Sequence, residues 1–426
     1  MKIHNLRWWM AATCFLATTI NYIDRLSLSI AAPAICREFG FSNTDYSSIL
    51  MAFMIAYAIM QGVSGRIIDR IGTRIGMAAS IVWWSLAGMA HALAGGLWSF
   101  RLVRFLLGAG EAGNWPGATK VVSEWFPARQ RGLAVAIFDS GSSIGGIIAP
   151  PLVTWFILHT GWRTTFLVTG SLGFLWLALW LLIYSSPEDS RFITKDELEL
   201  ILDDRQKEHR GPDALVPWRS LLHYRQVWGL ILGRLLTDCV WWFYVFWLPK
   251  YLTDRHGFNL AQIGMLGWIP FVAVDAGNLG GGWLSGVLVR RGWSLNGARK
   301  FVLILGAGAM VAGLPAGLTG NSGLCLALIA AANLGYAAWG TMLLTLPSDL
   351  FPSSTVASVS GLSGMGAGLG GILFTAAAGR VIDRVSYAPV FVAMGVMPVL
   401  ALLLVLALIP KVGLVAMREA QPQGPR

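Results

Sequence analysis

Gly65-Arg66-Ile67-Ile68-Asp69-Arg70-Ile71-Gly72-Thr73-Arg74 is a short charged stretch between two apolar runs, near 46–66 and 75–95. Each run is long enough to cross a hydrocarbon core of ~30 Å as a helix. Backbone polar groups in hydrocarbon must be satisfied within the segment, so runs of this length are helical. A topology signal would explain the arginines of this loop. It would not explain the glycines or the acid among the bases. Glycine allows close helix approach, and an acid flanked by bases can join a charge network. Gly65, Asp69, Arg70 and Arg74 are therefore read as gating residues.

Outward from this loop the same pattern recurs. Apolar runs of spanning length fall near 8–33, 46–66, 75–95, 97–122, 133–157, 164–185, 227–252, 263–289, 299–319, 323–346, 357–380 and 388–410. The composition agrees: 55% of the 426 residues are hydrophobic, mean hydropathy is +0.61 and 13% are charged. Soluble chains run roughly 25% charged, so these few charges cannot coat a soluble surface. The expected fold is an all-α membrane protein of twelve transmembrane helices. Residues 8–33 are expected to be a retained first span rather than a secretory signal, because Asn21-Tyr22-Ile23-Asp24-Arg25 interrupts the run.

The net charge of +10 does not indicate nucleic acid, since the bases are scattered through short loops. Placing the amino terminus in the cytoplasm puts most of them inside. The inside set is Lys2 and Arg7, the arginines of 66–74, Arg129, Arg131, the basic residues of 191–225, Arg290, Arg291, Arg299, Lys300, Lys411, Arg418 and Arg426. A multi-pass protein with both termini cytoplasmic follows.

Residues 186–226, the one long polar stretch, divide the spans six and six. The division is 1–185 for the first bundle, 186–226 for the linker and 227–426 for the second bundle with its tail. Lys195 to Arg210 reads either as a surface helix or as a solvated linker. The halves repeat. Ser123-Glu124-Trp125-Phe126-Pro127 precedes span 5 as Ser348-Asp349-Leu350-Phe351-Pro352 precedes span 11, and the same offset maps Gly145-Gly146 onto Gly370-Gly371. Two six-helix repeats are a transporter architecture, with the site near the midplane.

Ionisable groups are costly in hydrocarbon and mark function by default. Span 1 holds Asn21, Tyr22, Asp24 and Arg25; span 4 holds Arg104 and Glu111, on one face two turns apart. Asp139, Arg234, Asp238 and Asp275 lie in later spans, with Tyr57 and Tyr336 as amphipathic companions. A guanidinium can grip a carboxylate through two parallel hydrogen bonds. A nearby buried carboxyl then changes its protonation preference as that arginine is engaged or freed. These groups suit a small organic anion and protons as partners. The alternative is structural, Asp24 with Arg25 or Arg104 with Glu111 simply neutralising each other.

The loop 65–74, beside two six-span repeats, resembles the signature of the major facilitator superfamily. Asn21-Tyr22-x-Asp24-Arg25, Arg104-x6-Glu111-Ala112 and Glu124-Trp125-Phe126-Pro127 are similar to the anion:cation symporter family, above all its bacterial hexuronate and galactonate transporters. The segments Ser123 to Ala128, Gly141 to Gly145 and Ala149 to Val153, with Arg234 and Asp238, resemble the hexuronate branch. The resemblance implies that Arg25 binds the substrate carboxylate and that Asp24 and Glu111 take up protons. It implies that Tyr22 and Tyr57 line the site and that Arg104 pairs with Glu111. Asn21, Asp139, Arg234 and Asp275 join the expected substrate set, and Asp238 the proton-coupling set. The chain departs from the pattern at Asn114-Trp115-Pro116, where many members have a smaller or apolar residue before the proline, and in having Asp24, which some hexuronate transporters lack.

The expected function is proton-coupled symport of a sugar acid such as galacturonate or glucuronate, in a bacterial inner membrane, by a protein acting as a monomer. The alternatives are another organic anion (aldonate, aldarate or aromatic acid) or a non-transporting anion sensor. No phosphate loop, metal spacing or nucleophile–base pair occurs, so no cofactor, no metal and no enzymatic activity are expected. Cys14, Cys36, Cys239 and Cys325 read as packing residues.

Overall fold

A computed structural model of the chain describes residues 2–41, 43–208, 218–258, 266 and 269–415. Arg210, Arg418, Arg426 and the start of the expected span at 263 lie outside the described residues. The elements are α1 (Leu6–Phe39), α2 (Asn43–Ile71), α3 (Thr73–Ala90), α4 (Leu97–Glu111), α5 (Asn114–Trp125), α6 (Ala128–Ile183), α7 (Lys195–Glu208) and α8 (Trp218–Leu221). They continue as α9 (Arg225–His256), α10 (Ile269–Arg290), α11 (Leu295–Met310), α12 (Gly313–Ala316), α13 (Ser322–Leu350), α14 (Ser353–Arg384) and α15 (Ala388–Leu408). Among the described residues the only β pairing is an isolated bridge from Ile3 to Ile193.

Eight described segments are long and apolar enough to cross a membrane. The other four expected spans lie on α1, α4 with α5, α9 and α10, which carry Asp24, Arg25, Arg104, Glu111, Arg234, Asp238 and Asp275. The buried apolar residues gather into two sets. One draws on Leu6 to Ile201 and takes only Leu344 from later in the chain; the other draws on Leu221 to Val412. Large apolar side chains such as Leu93, Trp98, Leu158 and Leu182 point outward, as a surface facing lipid requires.

Two elements depart from the expected helices. α6 runs through both span 5 and span 6, kinked at Gly161 with φ 80° and ψ 163°. The span expected as one helix over 97–122 is broken between Glu111 and Asn114. Pro116 has no N–H to donate back to Ala112 and is tolerated only in a helix's first turn, so the chain starts a new helix there. The close approach of Gly113 to Ser80 leaves no room for a β-carbon at the joint.

The linker region is also settled by the structure. Lys195–Glu208 is a docked helix, with Ile201 buried and Leu198 packed on the first core. Its Glu197 accepts from the backbone N–H groups of Leu6 (2.9 Å) and Arg7 (3.1 Å) and pairs with the Arg7 guanidinium at 2.6 Å. It thereby satisfies donors that the first turn of α1 leaves without intrahelical partners.

Candidate functional site

Between the two sets of helices lies a cavity with about 780 Å³ of empty space, its opening to solvent included. Small-molecule sites commonly occupy roughly 300–1,000 Å³. One wall carries Tyr22 and Arg25 of α1, Tyr57 and Gln61 of α2, Trp115 of α5, and Asp139 and Ser142 of α6. The facing wall carries Arg234, Asp238 and Trp241 of α9, Asn278 of α10 and Tyr336 of α13.

Arg25 is the most elaborately held side chain. Its Nε donates to Glu111 Oε2 at 2.9 Å and its Nη2 to Asn21 Oδ1 at 3.0 Å. The rings of Tyr57, Tyr22, Phe53 and Trp115 surround the guanidinium at 4.7, 4.8, 5.1 and 5.7 Å. Aromatic faces attract a cation most strongly where water is excluded. A guanidinium has five N–H donors; Nη1 is used by neither Glu111 nor Asn21.

Behind the wall, Arg104 does not pair with Glu111 as expected. Glu111 goes to Arg25, and Arg104 Nη2 donates to the Arg25 carbonyl oxygen at 2.6 Å. Arg104 and Glu111 thus hold the two ends of the same residue, one at the Arg25 backbone and the other at its side chain. Asp24 is buried with Arg104 and Thr169 around it. Asn21, Asp24, Arg104 and Glu111 thus support the wall without being part of it. Asp275 is also off the wall, next to Ser143. Asp139 is on it, accepting from Trp115 Nε1 at 2.9 Å. On the far side Arg234 donates from Nη2 (2.8 Å) and Nε (3.1 Å) to Asp238 Oδ2, and the Tyr336 ring stacks on Trp241.

The expected gating loop lies at the face that carries the amino terminus, and it joins the two helix sets. Gly65 meets the backbone of Ala357 so closely that a β-carbon would collide with its carbonyl oxygen. Asp69 pairs with Lys120 at 2.9 Å and accepts from the N–H groups of Ser358 (2.7 Å) and Ala357 (3.3 Å) of α14. Arg74 instead donates to the Leu181 carbonyl, and Arg70 is exposed. A second link lies opposite. Arg299 pairs with Asp349 at 2.8 Å and donates to the Ala128 carbonyl at 2.9 Å, while Arg131 reaches the Ser348 carbonyl at 2.7 Å. At the other face, Trp162 and Arg163 bind Glu38 within the first set, and they hold its carboxyl below its ordinary range.

Sequence reasoning missed several of these residues. Arg131 and Arg299 were counted as loop charges, yet both are buried across the interface. Asp349 had a signal, since the repeat sets it at the position matching Glu124. Trp115, Gln61, Asn278 and Ser142 carry no charge to mark them.

A two-walled cavity between packed helix sets, charged inside and apolar outside, defines a multi-pass membrane carrier. The family model described as "Major Facilitator Superfamily" matches residues 14–297. The chain belongs to the major facilitator superfamily, a family of transporters rather than enzymes. It is 36% identical over 406 residues to the hexuronate transporter of Escherichia coli K12, covering 95% of this chain and 94% of that one. It is 35% identical over 337 residues to the galacturonate transporter of Dickeya chrysanthemi, covering 78% and 97%. The solved structure of the proton:xylose symporter XylE bound to 6-bromo-6-deoxy-D-glucose superposes with TM-score 0.72 at 18% identity, covering 93% and 94%; that likeness concerns the fold.

Proposed function

We propose that this protein is a secondary transporter that carries a monocarboxylic sugar acid, such as galacturonate or glucuronate, together with protons. The observation that carries the reading is Arg25, a cavity-lining guanidinium ringed by aromatics and held on one edge by Glu111. A substrate carboxylate takes the side of Arg25 turned away from Glu111, next to Tyr57, and Tyr22, Gln61, Asp139 and Asn278 offer hydroxyl, amide and carboxylate partners for sugar hydroxyls. The substrate anion and Glu111 then share one cation. Protonating Glu111 removes the competing charge and releases Nε to the substrate. Asp24, near both Glu111 and Arg104, is a second proton carrier, and Asp238 a third. Relatives named for hexuronate and galacturonate transport support the cargo class.

Transport proceeds by rocking residues 1–185 against 227–426 about the cavity, joined by the 186–226 linker. The Asp69 and Arg299 links close the terminus-bearing face, which is the cytoplasmic face of a bacterial inner membrane. The working unit is a monomer. The test is uptake of labelled galacturonate into proteoliposomes. An inward proton gradient is expected to stimulate uptake, and Arg25→Ala to abolish it. Uptake indifferent to the gradient would sink the coupling claim, and undiminished uptake by Arg25→Ala would remove Arg25 from the site.

A further inference from the structure

Two guanidinium groups and two carboxylates line the cavity: Arg25, Arg234, Asp139 and Asp238. The two arginines are not equivalent. The acid on Arg25 is Glu111, which sits behind the wall and takes only Nε. The acid on Arg234 is Asp238, one turn along α9 and itself on the wall. A single oxygen, Asp238 Oδ2, receives both Nε and Nη2. Those two donors form the side-on fork that would grip a ligand carboxylate, so Asp238 stands where such a ligand would bind.

The remaining wall carboxylate, Asp139, is tied to Trp115. Tyr57 has its ring 4.7 Å from the Arg25 guanidinium, and Arg25, Tyr57 and Arg234 line the same cavity. One small molecule can therefore address both arginines. A second carboxylate on that molecule would meet a guanidinium already neutralised, beside like charge from Asp238 and Asp139. In a low-dielectric cavity that juxtaposition is unfavourable.

We propose that Asp238 is a specificity-determining residue, which restricts the cavity to monocarboxylates by occupying Arg234. Removing its charge turns the far wall into a receptor for a second carboxylate, so that six-carbon dicarboxylic sugar acids bind. The inference rests on the sugar-acid reading of the cavity, and equilibrium binding keeps it separate from proton coupling.

The experiment is titration calorimetry of the purified full chain with galacturonate and with galactarate, which differ in the second carboxylate. The parent is expected to prefer galacturonate. Asp238→Asn is expected to shift the ratio of the two Kd values toward galactarate by about tenfold, the equivalent of about 1.4 kcal/mol. Adding Arg234→Gln to Asp238→Asn should return the ratio toward the parent's. An unchanged ratio in Asp238→Asn that still binds galacturonate overturns the proposal and leaves the sugar-acid reading standing. A shift that persists without Arg234 also overturns it. If Asp238→Asn binds neither acid, Asp238→Ser is titrated; failure of both variants to bind shows that Asp238 shapes the site itself, and the proposal falls. A parent that binds neither acid overturns the sugar-acid reading first.

Discussion

Replacing Asp69 by alanine should open the terminus-bearing face, and the structure sets the scale. Asp69 makes three contacts, of two kinds. Lys120 lies in the same helix set as Asp69, so it loses its partner whichever face is open, and that loss largely cancels between conformations. The bonds from Ser358 N (2.7 Å) and Ala357 N (3.3 Å) cross to α14 and exist only when this face is closed. The longer one lies past the usual N–H···O range and contributes little. A hydrogen bond to a charged group contributes about 1.5–3 kcal/mol, so the Ser358 bond alone favours closure by roughly ten- to a hundredfold. Spin labels at the exposed positions Arg129 and Ser294, on opposite helix sets, would report the change. The distance distribution of Asp69→Ala should gain a longer component at the expense of the short one. A distribution identical to the parent's would refute the assignment of Asp69 as a closing contact.

Arg25→Ala should abolish galacturonate binding in calorimetry, and Arg25→Lys should restore only part of it, because an ammonium cannot present the planar fork; full recovery by lysine would show that charge alone suffices. Glu111→Gln should keep substrate binding but lose the stimulation of uptake by an inward proton gradient, since a fixed neutral amide replaces the titrating carboxyl at Arg25. Persistent stimulation would move the coupling to Asp24 or Asp238. Glu197→Ala removes one partner of a buried ion pair and the cap of α1, a change that costs about 3–5 kcal/mol in buried pairs. Its thermal midpoint in detergent should fall by several degrees, and an unchanged midpoint would mean that the linker helix does not hold α1.

The architecture was legible because hydrocarbon imposes a strong rule. A backbone crossing lipid must be helical, and the apolar runs announce where it crosses. The charged residues inside those runs were legible for the same reason, since each stands out against its cost. Their partners were not. Whether Glu111 meets Arg104 or Arg25 depends on where α1 sets the Arg25 side chain beside α4, which the residue types of neither run announce. Lys120, Arg131 and Arg299 were hard to read for the opposite reason: they lie near the ends of apolar runs, where a basic residue is ordinary. Only packing makes them buried interface groups: Asp69 and Asp349 pair with Lys120 and Arg299 within each set, while Arg131, Arg299 and Asp69 reach across to the other.

The backbone contact at Gly65 and Ala357 is matched by another at Gly282, where a β-carbon would meet the Gly132 carbonyl. Contacts of this kind have very short range: a gap of ~0.5–1 Å already forfeits a quarter to a half of the dispersion attraction. Long side chains could stretch and follow a retreating partner, but bare backbone cannot. These contacts therefore lose much of their adhesion in the first fraction of the face's travel, which leaves only the Asp69, Arg131 and Arg299 hydrogen bonds to hold a half-parted arrangement. At these two points the seam works as a latch rather than a hinge with a range of settings, and leakage through a partly opened carrier is suppressed where backbone meets backbone.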